Sequence, residues 1–316
     1  MIFSPNDLFY TVAFMGIVMA GGVFTGANPT YTTRELAYQL QDSGAIFLLC
    51  CDAAIDTGIS AAESIGMSRD KVFVFNGDLY DGKREGIKGT RYWGELIASK
   101  EEGEQFSWNP MTTPGEAAQT LLALNYSSGT TGVPKGVMIT HKNYVANLLQ
   151  FNHLSTLDPE YDLKRKTGRY LCFLPLYHAM AQNIFISTAL LREVPVYIMA
   201  RFDFLKMLEY VQKFRITDLT VVPPVAIALT KHPAVKKFDL SSVRYLGSGA
   251  APLGLEVTEE LETMFSNKFN VRQGWGMTEY VPFATSFELF GVSSPAELTF
   301  FHTTGPLSPF SVGTPT

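Results

Sequence analysis

Residues 126–137 read Tyr126-Ser127-Ser128-Gly129-Thr130-Thr131-Gly132-Val133-Pro134-Lys135-Gly136-Val137 and follow directly on an apolar run. Four hydroxyls broken only by glycine, with a lysine behind them, offer donors to a polyanion, and the glycines let the backbone come close to it. A Walker loop requires Gly-Lys-Ser/Thr after four spaced residues. Here Pro134 precedes Lys135 and Gly136 follows it, which argues against a P-loop kinase or ATPase. Composition alone equally describes a polar surface turn, because Ser, Thr and Gly gather in loops.

Three further segments carry chemistry of their own. In Gln273-Gly274-Trp275-Gly276-Met277-Thr278-Glu279 an aromatic ring between glycines can stack on a flat ring, Thr278 can donate to phosphate, and Glu279 can hold a hard cation such as Mg²⁺. Gly247-Ser248-Gly249-Ala250-Ala251-Pro252-Leu253 suits a flat backbone ledge; it misses the dinucleotide template G-x-G-x-x-G because Pro252 stands at the third glycine. His178 closes Leu174-Pro175-Leu176-Tyr177-His178, and a lone histidine among apolar residues is by itself a packing residue as readily as a functional one. His141, His153, His232 and His302 show no partner pattern.

Taken together and in order, these four segments resemble the adenylate-forming superfamily: acyl-CoA synthetases, luciferases and peptide-synthetase adenylation domains, with the coumarate-CoA-ligase and luciferase-like branch nearest. The resemblance runs over essentially the whole chain. It implies an α/β fold of two stacked subdomains, 1–168 carrying the phosphate loop and 169–316 carrying the acid and adenine pocket. It implies ATP and Mg²⁺ as cofactors, CoA as co-substrate, and activation of an aromatic or longer-chain carboxylic acid to an acyl-adenylate and then a thioester. Nucleotide contacts would come from Ser127, Ser128, Gly129, Thr130, Thr131, Gly132, Lys135, Gly249, Ala250, Ala251, Pro252, Gln273, Gly274, Trp275, Gly276, Met277 and Thr278. The acid would lie against His178, Met180, Ser248, Gly249, Gly274, Met277 and Val281, with Tyr280 beyond; this lining reads as apolar. His178, Thr278, Glu279 and Lys135 would serve catalysis, and Glu279 with Thr131 the metal. Where the family usually has Tyr, Trp275 keeps the stacking face. An amino-acid-activating adenylation domain, or a non-catalytic nucleotide-binding fragment, would use the same loop.

The elements that must hold these residues are legible as α/β patterning. Apolar runs at 45–50, 72–75, 121–125, 194–199, 219–222 and 243–246 predict strands, as does 170–174, and spaced apolar positions at 33–42, 144–151, 204–214 and 255–265 predict helices laid on a sheet. The polar stretch 78–113 reads as a surface excursion. Between Asp7 and Arg34 there is no charge, enough on paper for a membrane span, but Gly21-Gly22 interrupt the run and Asn28-Pro29 follow, so a buried helix from about Asp7 and then a buried strand is the expectation.

With 46% hydrophobic and 17% charged residues the 316-residue chain can bury a core, and a net charge of -5 supplies no basic stripe for nucleic acid. Three cysteines, two adjacent at Cys50 and Cys51, match neither a disulfide framework nor a zinc site, which points to an intracellular, reducing compartment, cytoplasmic or peroxisomal, with no targeting signal in the chain. By comparison with the family the chain is expected to start inside the first sheet, leaving apolar sheet edge exposed, and to stop before a ribose-binding aspartate and a small mobile domain. It is therefore expected not to complete the ligase reaction alone.

Overall fold

The computed structural model describes residues 1–77, 85–108, 110–127, 133–266, 268–280 and 283–286. Among these lie β1 (Ile2–Phe3), β2 (Gly26–Ala27), β3 (Leu48–Cys50), β4 (Val72–Val74), β5 (Arg91–Tyr92), β6 (Leu121–Ser127), β7 (Lys135–Thr140), β8 (Tyr170–Cys172), β9 (Val196–Ile198), β10 (Asp218–Val221), β11 (Tyr245–Ser248), β12 (Arg272–Gly276) and β13 (Phe283–Ser286). The first five make a parallel sheet in the order β2-β1-β3-β4-β5. A second sheet runs β13-β12-β11-β10-β8-β9, parallel except for the β12–β13 pair. Strands β6 and β7 form an antiparallel hairpin that joins the first sheet through Phe24, whose N–H and C=O bond Leu122 and Leu124.

Every residue of β3 and β4 is buried, as a parallel strand covered on both faces requires. Helices between the strands supply that cover. Thr33–Ser43 opens on a Thr32–Glu35 capping box and closes on Gly44 at φ 63°. The charge-free segment is a ten-residue helix, Tyr10–Met19, about 15 Å long and half a bilayer core. It ends as expected at the glycine pair: Gly22 N–H donates to Ile17 O and Gly21 N–H to Val18 O around a left-handed Gly21. No helix among the described residues is long and apolar enough to cross a membrane.

Some expectations are corrected. The stretch 78–113 is not all surface: β5 is the fifth strand of the first sheet, and Tyr92 and Trp93 are core residues, with Trp93 against Phe9 and Phe75 at ring-centroid distances of 5.5 and 5.0 Å. A two-residue strand is too short to show a period. Strand β1 is an inner strand with neighbours on both sides, and Ile2 and Phe3 are fully buried. After His178 the chain forms an unforeseen buried helical run whose middle, Gln182–Thr188, is a π-helix, a form that recurs at functional sites.

Candidate active site

The hydroxyl-rich motif is the tip of the β6–β7 hairpin. Ser127 pairs with Lys135 as the last rung, and Ser128, Gly129, Thr130, Thr131 and Gly132 lie outside the described residues. The rung is braced from several sides. The Tyr38 hydroxyl donates to the Pro134 carbonyl at 3.1 Å, and Tyr126 donates to Asp42 at 2.6 Å while its ring packs over Gly136, where a Cβ would lie 3.1 Å from the phenol. Burial first, then the Asp42 carboxylate, push the Tyr126 phenol up, so it remains a donor. Asn125 is buried and exchanges two hydrogen bonds with Gln182, at 2.9 and 3.2 Å, and Gln182 also donates to Tyr177 O. The strand feeding the motif is thereby tied to the helix that follows His178.

The second motif comes from far along the sequence. The turn Thr278–Tyr280 packs alongside both strands of the hairpin. Thr278 is half-buried; Lys135 and Glu279 are exposed, and Trp275 is 57% exposed beside a register shift at Trp275/Gly276. Among the described residues no three His, Cys, Asp or Glu side chains cluster as a metal cage. A single carboxylate is what Mg²⁺ asks of a protein when phosphates and water complete its shell, so Glu279 fits that ion; Thr131 lies outside the described residues.

The ledge forms where β11 ends. A Cβ on Gly249 would lie 3.1 Å from the Met180 sulfur and 3.6 Å from the Gly274 carbonyl, so Met180, Gly249 and Gly274 meet in close contact. Ala250 follows at φ 70°, a left-handed conformation costing an alanine about 1 kcal/mol, and Ala251 and Pro252 are exposed. Gln273 spends its amide on both backbone groups of Leu253, at 3.1 and 3.2 Å, so its side chain holds the ledge in place. Ser248 is 4% exposed, and its buried hydroxyl has no hydrogen-bond partner among the described residues. Met277 is exposed on the same strand side, and Val281 lies outside the described residues.

His178 immediately precedes the helical run, its N–H bonded to Pro175 O and its ring beside Tyr177. The ring is solvent-exposed at its edge, while the protein packed around the rest of it desolvates the imidazolium and lowers its pKa.

Beneath the ledge opens a cavity of about 990 Å³. The sheet forms one wall through alternate residues: Gly249 and Gly274 near the ledge, Thr220, Gly247 and Arg272 at the next level, and Tyr170, Asp218 and Tyr245 beyond. The lining includes apolar side chains such as Met180, Ile184, Phe185, Phe151, Leu154 and Phe269, and also charged ones that the sequence reading did not place there, Asp218, Arg192 and Arg244 among them. Spacing could not reveal this, because the three charges come from separate elements, and each reads locally as a surface residue.

The chain matches the family described as AMP-binding enzyme over residues 1–313. It is 33% identical over 284 residues to the phenylacetyl-CoA ligase epaB of Aspergillus niger, covering 89% of this chain and 50% of that protein. It is 34% identical over 283 residues to 4-coumarate–CoA ligase 3 of Arabidopsis thaliana, covering 89% of this chain and 46% of that one. The chain thus spans about half the length of the curated relatives it matches. Among solved structures, a red-emitting luciferase from Phrixothrix hirtus superposes at TM-score 0.74 with 20% identity, covering 90% of this chain and 65% of the other. The long-chain-fatty-acid-CoA ligase FadD1 of Archaeoglobus fulgidus superposes at 0.71 with 23% identity, covering 91% and 54%.

Proposed function

This chain belongs to the AMP-binding enzyme family, and from that premise we propose that it supplies the nucleotide and acid sites of an AMP-forming acid–CoA ligase. The observation that carries the reading is the convergence of segments remote in sequence: the β6–β7 hairpin, the Thr278–Tyr280 turn packed on it, and the Gly249 ledge over a cavity.

In this reading the acid's tail enters the cavity and its carboxylate stays at the ledge, where neutral His178 can orient an oxygen. Adenine lies between the Ala250–Pro252 backbone and the Trp275 ring. Lys135, the hairpin hydroxyls and Thr278 hold the phosphates, and Mg²⁺ on Glu279 would supply charge neutralisation. The acid carboxylate attacks the α-phosphorus of ATP, the bond to the bridging oxygen breaks, and pyrophosphate leaves with that electron pair. No proton need move at this step. The protein's part is to align donors and neutralise spreading charge, which is why hydroxyls and a lysine suffice without a nucleophile and base. CoA would then open the acyl-adenylate to the thioester. We take 1–168 and 169–316 as the two subdomains that divide this work.

Thermal melting tests the nucleotide assignment. MgATP at a hundredfold excess over its Kd should stabilise the fold by about 2.7 kcal/mol, and Lys135→Ala and Thr278→Ala should each shrink the shift at fixed nucleotide concentration. An unmoved midpoint in folded protein, or variants that respond like the parent, would remove these residues from the site.

A further inference from the structure

Helix Thr33–Ser43 is fixed to the first sheet by one face and holds the hairpin by another. Leu36 and Leu40 are buried, and the buried Gln39 amide donates to the Gly26 carbonyl at 3.0 Å and the Thr25 hydroxyl at 3.1 Å, so the helix cannot slide past β2 without breaking both bonds. Tyr38 and Asp42, four residues apart and so neighbours along the helix, are both exposed. The Tyr38 hydroxyl donates to the Pro134 carbonyl at 3.1 Å, and the Asp42 carboxylate accepts from the Tyr126 hydroxyl at 2.6 Å. Tyr126 immediately precedes Ser127 on the outgoing strand, and Pro134 immediately precedes Lys135 on the returning one.

One helix therefore holds both sides of the Ser127–Lys135 rung. The Tyr126 ring reaches Asp42 while lying against Gly136, its opposite in the register, where a Cβ would fall 3.1 Å from the phenol. The hairpin's backbone tie to the first sheet is at Phe24, which bonds Leu122 and Leu124; Ser127 is three residues beyond Leu124, roughly 10 Å. A two-stranded ribbon is marginal by itself, so its far end keeps one position only where side chains hold it. Asn125–Gln182 ties that end to the run after His178, and the two tyrosine bonds tie it to helix Thr33–Ser43, one of them to a carboxylate, a stronger acceptor than a neutral oxygen.

We propose that Tyr38 and the Tyr126–Asp42 pair are positioning residues for the phosphates of ATP, through which helix Thr33–Ser43 sets where the Ser127–Lys135 rung stands. The proposal rests on reading the hairpin as the element that holds the phosphates. The three residues act through the rung and need not touch the nucleotide. Lysine is a point charge on a flexible stem, so the grip of Lys135 depends on where its backbone is held, and a rung free to swing must first be ordered at the expense of binding. The adenine end, at the Ala250–Pro252 ledge and Trp275, belongs to the second sheet, so the brace should act on the phosphate end of the nucleotide alone.

Calorimetric titrations of the 316-residue chain with MgATP and, separately, with adenosine check this. Tyr38→Phe and Tyr126→Phe should each weaken MgATP binding about threefold or more, and the two together about tenfold or more, while adenosine binds as it does to the parent. Asp42→Ala should match Tyr126→Phe, and Asp42→Asn, which keeps an acceptor oxygen, should recover most of the loss. In a Lys135→Ala background Tyr38→Phe should add little, because the group it positions is gone. Should Tyr126→Phe fail to fold, Tyr38→Phe, on the exposed face of the helix, decides alone. MgATP affinities equal to the parent's, a loss shared equally by adenosine, or full additivity with Lys135→Ala overturns the proposal. A parent that binds MgATP beside variants that bind it equally well leaves the nucleotide reading standing and strikes only the brace; a parent that binds neither ligand strikes the nucleotide reading and the brace with it.

Discussion

The protein packed around His178 favours its neutral imidazole, and in the proposed reading that form can accept or donate one hydrogen bond at a carboxylate without adding a charge. Its folded pKa lies below the ordinary 6.5, so the unfolded chain binds the extra proton more readily. The stabilising contribution is therefore fully present above pH 6.5 and is lost as pH falls through the lower folded value. Melting curves from pH 8 to pH 5 should show the parent losing more of its midpoint on acidification than His178→Asn; parallel slopes would mean that the imidazole is not desolvated by the fold. His141, lowered for the same reason, stays in both proteins and cancels in the comparison. At this scale the sequence was legible where a residue's type alone restricts its use: Gly249 sits in close contact with Met180 and Gly274, and Trp275 offers its ring to solvent. It was silent about Asn125, Gln182 and Asp218, whose meaning comes from partners on other elements.

The hairpin, the π-helical run and the helix His141–Thr156 behave as one positioning assembly. Helix His141–Thr156 leaves the hairpin directly and meets the run through Tyr144–Ser187 at 2.7 Å and Asn147–Asn183 at 3.1 Å. The Asn125–Gln182 pair closes the loop back to β6. Losing one member strands the other's buried amide, so Asn125→Leu should cost about 2 kcal/mol, and Gln182→Leu somewhat more because Tyr177 O also loses its donor. The double variant should cost well under the sum, a coupling of about 1 kcal/mol or more in urea unfolding. Simple additivity would show that the two amides act independently and that the hairpin is held by its strands alone. Sequence patterning found most of the elements in these sheets and helices, since β3, β4, β10 and β11 are apolar runs and Thr33–Ser43 and Phe204–Phe214 carry capping residues at their starts. It missed β7, which alternates poorly with Met138 exposed, and the π-helical run, whose Gln182, Asn183, Ser187 and Thr188 look soluble yet are buried in hydrogen bonds to Asn125, Asn147 and Tyr144 and, for Thr188, to Asn183.

On the scale of the molecule, the site exists only because the two sheets are locked against each other, and Asn6 is the polar bolt between them. It leaves β1 in the first sheet and is 6% exposed; its amide donates to Leu174 O at 2.9 Å and Met199 O at 3.2 Å, and its carbonyl takes the Leu176 N–H at 2.8 Å. These partners flank β8 and β9 in the second sheet and lead straight into Tyr177 and His178. Tyr177 in turn presses on Gly26 of β2, where a Cβ would fall 2.7 Å from its own Cβ, so the sheets meet backbone to backbone at the segment that carries the histidine. Asn6→Ala leaves two carbonyls and an N–H buried without their partner and should lower the unfolding free energy by about 3 kcal/mol in urea titrations. Asn6→Asp should be worse above about pH 4, because its ionised carboxylate would face two carbonyl oxygens in place of an N–H donor, and it should recover toward the alanine value as acid protonates it. If Asn6→Ala stays within about 0.5 kcal/mol of the parent, the range of an ordinary surface change, the bolt is ornamental, and apolar contact alone must align the hairpin, the ledge and His178.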